Sequence, residues 1–76
     1  VSVSYAIQYE TEHGIGAVMH GPEEDLRRMR RWRPPEGFAR FHDLSIVEIR
    51  ASQRRYSRRA LYRWDDEAGR WAWCGD

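Results

Sequence analysis

The first ten residues impose the strongest constraint on the fold. Val1, Val3, Tyr5, Ile7 and Tyr9 alternate with Ser2, Ser4, Ala6, Gln8 and Glu10. Successive side chains of a strand project to opposite faces, so this run predicts a strand with one apolar and one polar face. Its backbone needs neighbouring strands, and its apolar face needs a covering layer. "TEHG" supplies turn chemistry, with Gly14 free to take positive φ. "IGAVMH" then predicts a second strand, and the chain begins as an antiparallel hairpin.

The segment "GPEEDLRRMRRWRPP" predicts one helix. Pro22 suits the first helical position, where its missing N–H breaks no intrahelical bond. Glu23, Glu24 and Asp25 sit at the positive end of the helix dipole, and the arginine run at the negative end. Glu23 with Arg27 and Glu24 with Arg28 are i,i+4 pairs in the favourable order. Leu26, Met29 and Trp32 make a narrow apolar stripe. Pro34 disfavours helical geometry at Arg33 and stops the helix there.

Beyond it, "PPEGFARFHD" reads as a loop pinned by Phe38 and Phe41, and "LSIVEIRA" as a third strand rich in β-branched residues. "SQRRYSRR" reads as a basic turn or a short helical piece. "ALYRWDDEAGRWAWC" gives two aromatic strands around "DEAG", with Gly69 at the left-handed position of the turn. The order ββαβββ predicts a small α+β domain spanning residues 1–76, an antiparallel sheet with one helix packed across it.

At 76 residues, such a chain buries about 60% of the surface it exposes when unfolded, so a deep substrate cavity is not expected. Four Trp, four Tyr and two Phe compensate with large apolar areas. Cys74 is the only cysteine, so no internal disulfide forms. Together with an opening that lacks the charged and apolar regions of a signal peptide, this predicts a reducing, cytoplasmic setting. No apolar run approaches the ~20 residues of a membrane span, and no membrane partner is expected.

All thirteen basic residues are Arg, and Lys and Asn are absent. A GC-rich genome explains this, and so does a need for bidentate recognition of carboxylate or phosphate. The net charge of +1 hides segregation. Residues 1–26 carry five acids and no Arg, residues 27–63 twelve Arg against three acids, and residues 64–76 four acids and one Arg.

Two surfaces follow. With about 100° per residue on a helix, Arg27 and Arg31 lie opposite the apolar stripe, and Arg28 and Arg30 flank it. This predicts a solvent face suited to the dipole. Five arginines in positions 27–33 nevertheless outnumber the three acids nearby, and the surplus charge is free for a partner. On the fourth strand, Arg59, Leu61 and Arg63 share a face. With a three- or five-residue loop, that face also carries Trp71 and Trp73. The opposite face would hold Ala60, Tyr62, Trp64, Ala72 and Cys74. A two-layer domain buries only one of the two, so the other is expected to expose aromatics. Arg beside Trp suits cation–π contact, interface hot spots and base stacking.

No chemistry of a catalytic or metal site stands out. His13, His20, His42 and Cys74 lack metal-ligand spacing, and neighbours such as His42 and Asp43 point apart on a strand. There is no phosphate-binding glycine loop and no nucleophile elbow, so neither enzyme activity nor a cofactor is expected. "LSIVEIRASQRRYSRRALYRWDD" resembles the middle sheet of RelE/HigB-type messenger-RNA-cleaving toxins. Glu48, Ile49 and Arg50 match that family's first segment, and Ala60–Leu61–Tyr62–Arg63 approximates its second. The resemblance implies a small ribonuclease, but it covers about a third of the chain and omits the family's C-terminal catalytic segment.

The expectation is a non-enzymatic intracellular binding protein of inhibitor or adaptor type, similar in size to small phage- or plasmid-borne inhibitors. Its contact residues would be Arg27, Arg28, Arg31, Arg59, Arg63, Trp71 and Trp73. The near-neutral net charge places a protein partner ahead of nucleic acid, with a nucleic-acid-binding module on the same surface as the alternative.

Overall fold

The computed structural model describes residues 1–75. The alternating segment forms β1 (Ser2–Thr11) and the following one β2 (Gly14–Gly21); β3 (Leu44–Ala51), β4 (Tyr56–Asp65) and β5 (Arg70–Trp73) complete the strands. They make one antiparallel sheet in the order β2-β1-β3-β4-β5. "LSIVEIRA" is a strand over its full predicted length. The ambiguous "SQRRYSRR" is neither purely turn nor helix, because β4 begins within it at Tyr56.

Two short helices replace the single expected one. A 3₁₀ turn, Glu23–Asp25, leads into α1 (Leu26–Arg31), and α2 (Phe38–Phe41) lies inside the stretch expected to be a loop. Pro22 is extended and caps the turn from outside the helix. The tighter 3₁₀ winding brings side chains three apart into line. The ion pair at this end is accordingly Asp25–Arg28, at 3.9 Å, in place of the expected i,i+4 pairs. Helix α1 ends two residues earlier than expected, since Trp32 is already extended at ψ 142°. After the two prolines, Gly37 at φ +84° lets the chain reverse into α2.

Ile7, Met29, Leu44, Ile46, Leu61 and Tyr5 form the buried core under α1. Met29 is the only fully buried residue of the helix. Half-buried Leu26 and Trp32 pack beside it, so the predicted stripe is the face that docks. Glu48 lies on the same side of the sheet, opposite Tyr5, and anchors Arg50 at 3.0 Å and Arg59 at 3.6 Å. Burial, and then the Glu48 carboxylate as charge and acceptor, push the Tyr5 hydroxyl pKa up.

On the face of the sheet opposite α1, Ala6 and Val47 are also buried. Register explains why. Side-chain rows run Ser4–Ile49–Arg58, then Ala6–Val47–Ala60, then Gln8–Ser45–Arg63. Arg58 in the first row donates to Gln8 in the third, so its aliphatic stem crosses the middle row and covers it. Among the described residues no helix is long and apolar enough to cross a membrane.

Candidate functional site

The β4–β5 hairpin decides the site, and its register differs from the expected one. Tyr62 pairs with Trp73, Arg63 with Ala72, Trp64 with Trp71 and Asp65 with Arg70. Four residues, 66–69, form the loop, with Gly69 left-handed at φ +66°. An even loop shifts the pairing by one residue relative to three- and five-residue loops, and a one-residue shift moves a side chain to the other face. Trp71 and Trp73 therefore stand with Tyr62 and Trp64 on the helix side, opposite Arg63.

A bulge at Leu61 separates the members of the expected face from one another. Ile46 pairs with Tyr62 and Val47 with Ala60, leaving Leu61 as the extra residue. Leu61 turns into the core. Arg59, paired with Glu48, stays on the helix side, and Arg63, paired with Ser45, lies on the opposite face.

On the helix side, the aromatic rows of the hairpin meet the C-terminal end of α1. Trp64 and Trp71 pack edge-on at 5.3 Å, and Tyr62 and Trp73 at 5.1 Å. The Arg30 guanidinium carbon sits 5.1 Å from the Tyr62 ring centre, and that of Arg33 5.6 Å from Trp64. Both are within cation–π range. Arg33 also donates to the carbonyls of Arg30 (2.9 Å) and Trp32 (3.1 Å), satisfying acceptors that the helix end leaves open. The Trp71 indole N–H donates to the Trp32 carbonyl at 3.2 Å. Helix end and hairpin are thus clasped by an N–H bond and two stacked guanidinium groups.

Between them runs a cleft of about 350 Å³ lined by Arg27, Arg30, Arg31, Arg33, Arg70, Tyr62 and Trp71. Among the described residues, no carboxylate lies within 4.0 Å of any of these five guanidinium groups. Acids instead flank these arginines along the chain. Glu23, Glu24 and Asp25 precede α1, and Asp65, Asp66 and Glu67 precede Arg70, with Asp66 accepting from Trp64. A larger hollow, about 490 Å³, lies at the other edge of Trp64 and is lined by Arg58 and Arg63 but also Glu10 and Asp43. Its charges balance, so it offers no comparable attraction.

Of the expected contact residues, the structure gathers Arg27, Arg31 and Trp71 at the cleft, with Trp73 beside Tyr62 at its margin. Arg28 turns to Asp25, Arg59 to Glu48, and Arg63 to the far face. Arg30, Arg33, Arg70 and Tyr62 were not in that set. A signal for Arg30 was present, because it flanks the apolar stripe and must lie at the rim of the helix–sheet contact. Arg70 carried none without the hairpin register. Among the described residues, no group of three or more His, Cys, Asp or Glu is placed to hold a metal ion. The chain matches no protein-family model, no curated protein and no solved structure.

Proposed function

We propose that the chain is a non-enzymatic nucleic-acid-binding module whose arginine cleft takes the phosphate backbone. The carrying observation is that five arginines, free of carboxylate partners among the described residues, line one cleft of about 350 Å³. Like charges gathered in a small volume repel one another, and a polyanion removes that cost while releasing its own counterions. The tryptophans favour this reading over the acidic protein surface expected from net charge. Protein hot spots need aromatic area that is free to be desolvated. Here Trp64 and Trp71 are half-buried within the chain's own packing, and the Trp71 N–H is engaged. Five arginines line the cleft beside Tyr62 and Trp71. The segment that resembles messenger-RNA-cleaving toxins contributes Glu48 and Arg50 to a structural ion pair, which supports binding rather than cleavage.

The test is the salt dependence of binding to a fluorescein-labelled oligonucleotide. Five phosphate contacts on a single strand give a log–log slope of about −3.5, so affinity falls roughly a hundredfold between 50 and 200 mM salt. Arg31→Gln with Arg70→Gln should flatten the slope by about 1.4. Arg54→Gln with Arg55→Gln, about 20 Å away at the other end of β4, should leave it unchanged. Binding of poly-L-glutamate without binding of any oligonucleotide would return the site to an acidic protein partner.

A further inference from the structure

Resting on the nucleic-acid reading, we infer that the hollow of about 490 Å³ at the other edge of Trp64 is a base pocket and that it selects guanine. Glu10 and Asp43 line this hollow together with Arg58 and Arg63. Acids and bases do not neutralise each other there. Among the described residues, neither carboxylate comes within 4.0 Å of a guanidinium group. The side chains of Glu10, Asp43 and Arg63 also make no hydrogen bond among those residues. Charges of both signs standing unpaired around one hollow suit a ligand that offers donors and acceptors together, rather than a simple ion.

The backbone around these groups is tied down. The Glu10 N–H donates to the Asp43 carbonyl at 3.2 Å, which joins the end of β1 to the residue before β3. Arg63 pairs with Ser45 across β3 and β4, and the Arg58 Nε–H donates to Gln8. Beside Asp43, the His42 ring packs against Tyr9 at 5.5 Å and Phe38 at 4.7 Å. A site whose walls are already ordered loses little freedom on binding. Ala39, Ala60 and Trp64 add apolar lining for a ring.

Guanine matches this lining. Its O6 and N7 accept two N–H groups from one arginine, while its N1–H and N2 amine donate to the two oxygens of one carboxylate. Adenine, cytosine and uracil each carry a single donor group, which leaves a carboxylate oxygen without a partner. The hollow also adjoins the arginine cleft. Trp64 lines the hollow and Trp71 lines the cleft, and the two rings pack edge-on at 5.3 Å. A strand whose phosphates follow the cleft arginines therefore has the hollow across one aromatic pair.

Fluorescence anisotropy should be measured with labelled uridine decamers carrying one central guanosine, inosine or adenosine. The wild type should bind the guanosine decamer about 5- to 150-fold more tightly than the adenosine decamer. Inosine, which lacks the N2 amine, should fall between them. Glu10→Gln with Asp43→Asn should bring the preference below about twofold without weakening binding of the adenosine decamer. Both side chains are exposed, so the core is untouched, and the wild-type comparison involves no substitution at all. Calorimetric titration with GMP and AMP separates the two sources of the base. GMP binding weaker than the guanosine decamer places the base in a strand, and equal binding assigns the hollow to the free nucleotide. Equal wild-type affinity for the three decamers, with GMP no tighter than AMP, overturns the base pocket while leaving phosphate binding intact. Absence of binding to all three decamers instead removes the nucleic-acid reading, and GMP binding no tighter than AMP then removes the guanine site as well.

Discussion

Met29 is the side chain through which the fold holds the site, and Met29→Ala tests that directly. It is 0% exposed and belongs to the buried cluster that includes Ile7, Ile46 and Leu61. Truncation to Ala removes Cγ, Sδ and Cε from a closed core. The lost transfer free energy and the cavity together cost about 2–5 kcal/mol, against a gain in helix propensity of only a few tenths. A chain of 76 residues has a total stability of roughly 4–11 kcal/mol, so the substitution removes a large fraction. With about 4–8 °C per kcal/mol for a domain of this size, a loss near 3 kcal/mol lowers Tm by roughly 12–24 °C. Urea unfolding followed by Trp fluorescence should show a lower midpoint at unchanged m-value. Leu26→Ala, at the half-buried neighbour, should cost less than half as much. Four of the five cleft arginines follow Met29 or flank it in the chain, so apparent oligonucleotide affinity should fall with the folded fraction. A change below about 1 kcal/mol for Met29→Ala, or a larger one for Leu26→Ala, would show that the helix is held by other contacts.

Trp71→Phe deletes the N–H bond to the Trp32 carbonyl while keeping an aromatic ring. Stability should fall by about 1 kcal/mol, and oligonucleotide affinity should drop as the clasp loosens; an unchanged thermal melt would show that the bond is not needed. The raised Tyr5 pKa means that the folded state holds this proton more tightly than the unfolded chain. Its contribution is therefore present below the ordinary tyrosine value, 10.0, and is lost as pH rises through the folded pKa. Denaturation midpoints of wild type and Tyr5→Phe measured from pH 8 to 11 should diverge only in the alkaline range, with the variant the flatter of the two.

Elements specified by local pattern were legible. Alternation from Val1 to Glu10 defined β1, and β-branched density defined "LSIVEIRA". The Leu26–Met29–Trp32 stripe identified the docking face of α1. In each case the signal lies within ten residues and reflects a single periodicity. Two shortfalls had local causes of a finer kind. The first turn took 3₁₀ rather than α winding, which gave Arg28 Asp25 as its partner in place of Glu24, and Gly37 admitted a four-residue helix where a loop was expected. Neither choice alters the hydrophobic pattern, so neither leaves a mark in it.

The sequence by itself determined an antiparallel α+β arrangement, an amphipathic arginine-rich helix and an aromatic hairpin, because these depend on neighbours along the chain. Only the tertiary structure decided which aromatics face the helix. The parity of Trp71 and Trp73 rests on one residue in the length of the 66–69 loop, and the parity across β4 rests on the single extra residue at Leu61. With a period of two, each such residue inverts the face it follows. The cleft depends on the same two residues. Arg27–Arg33 and Arg70–Trp71 are about forty positions apart, and they share a surface only because the Trp71 N–H reaches the Trp32 carbonyl and Arg30 and Arg33 stack on Tyr62 and Trp64.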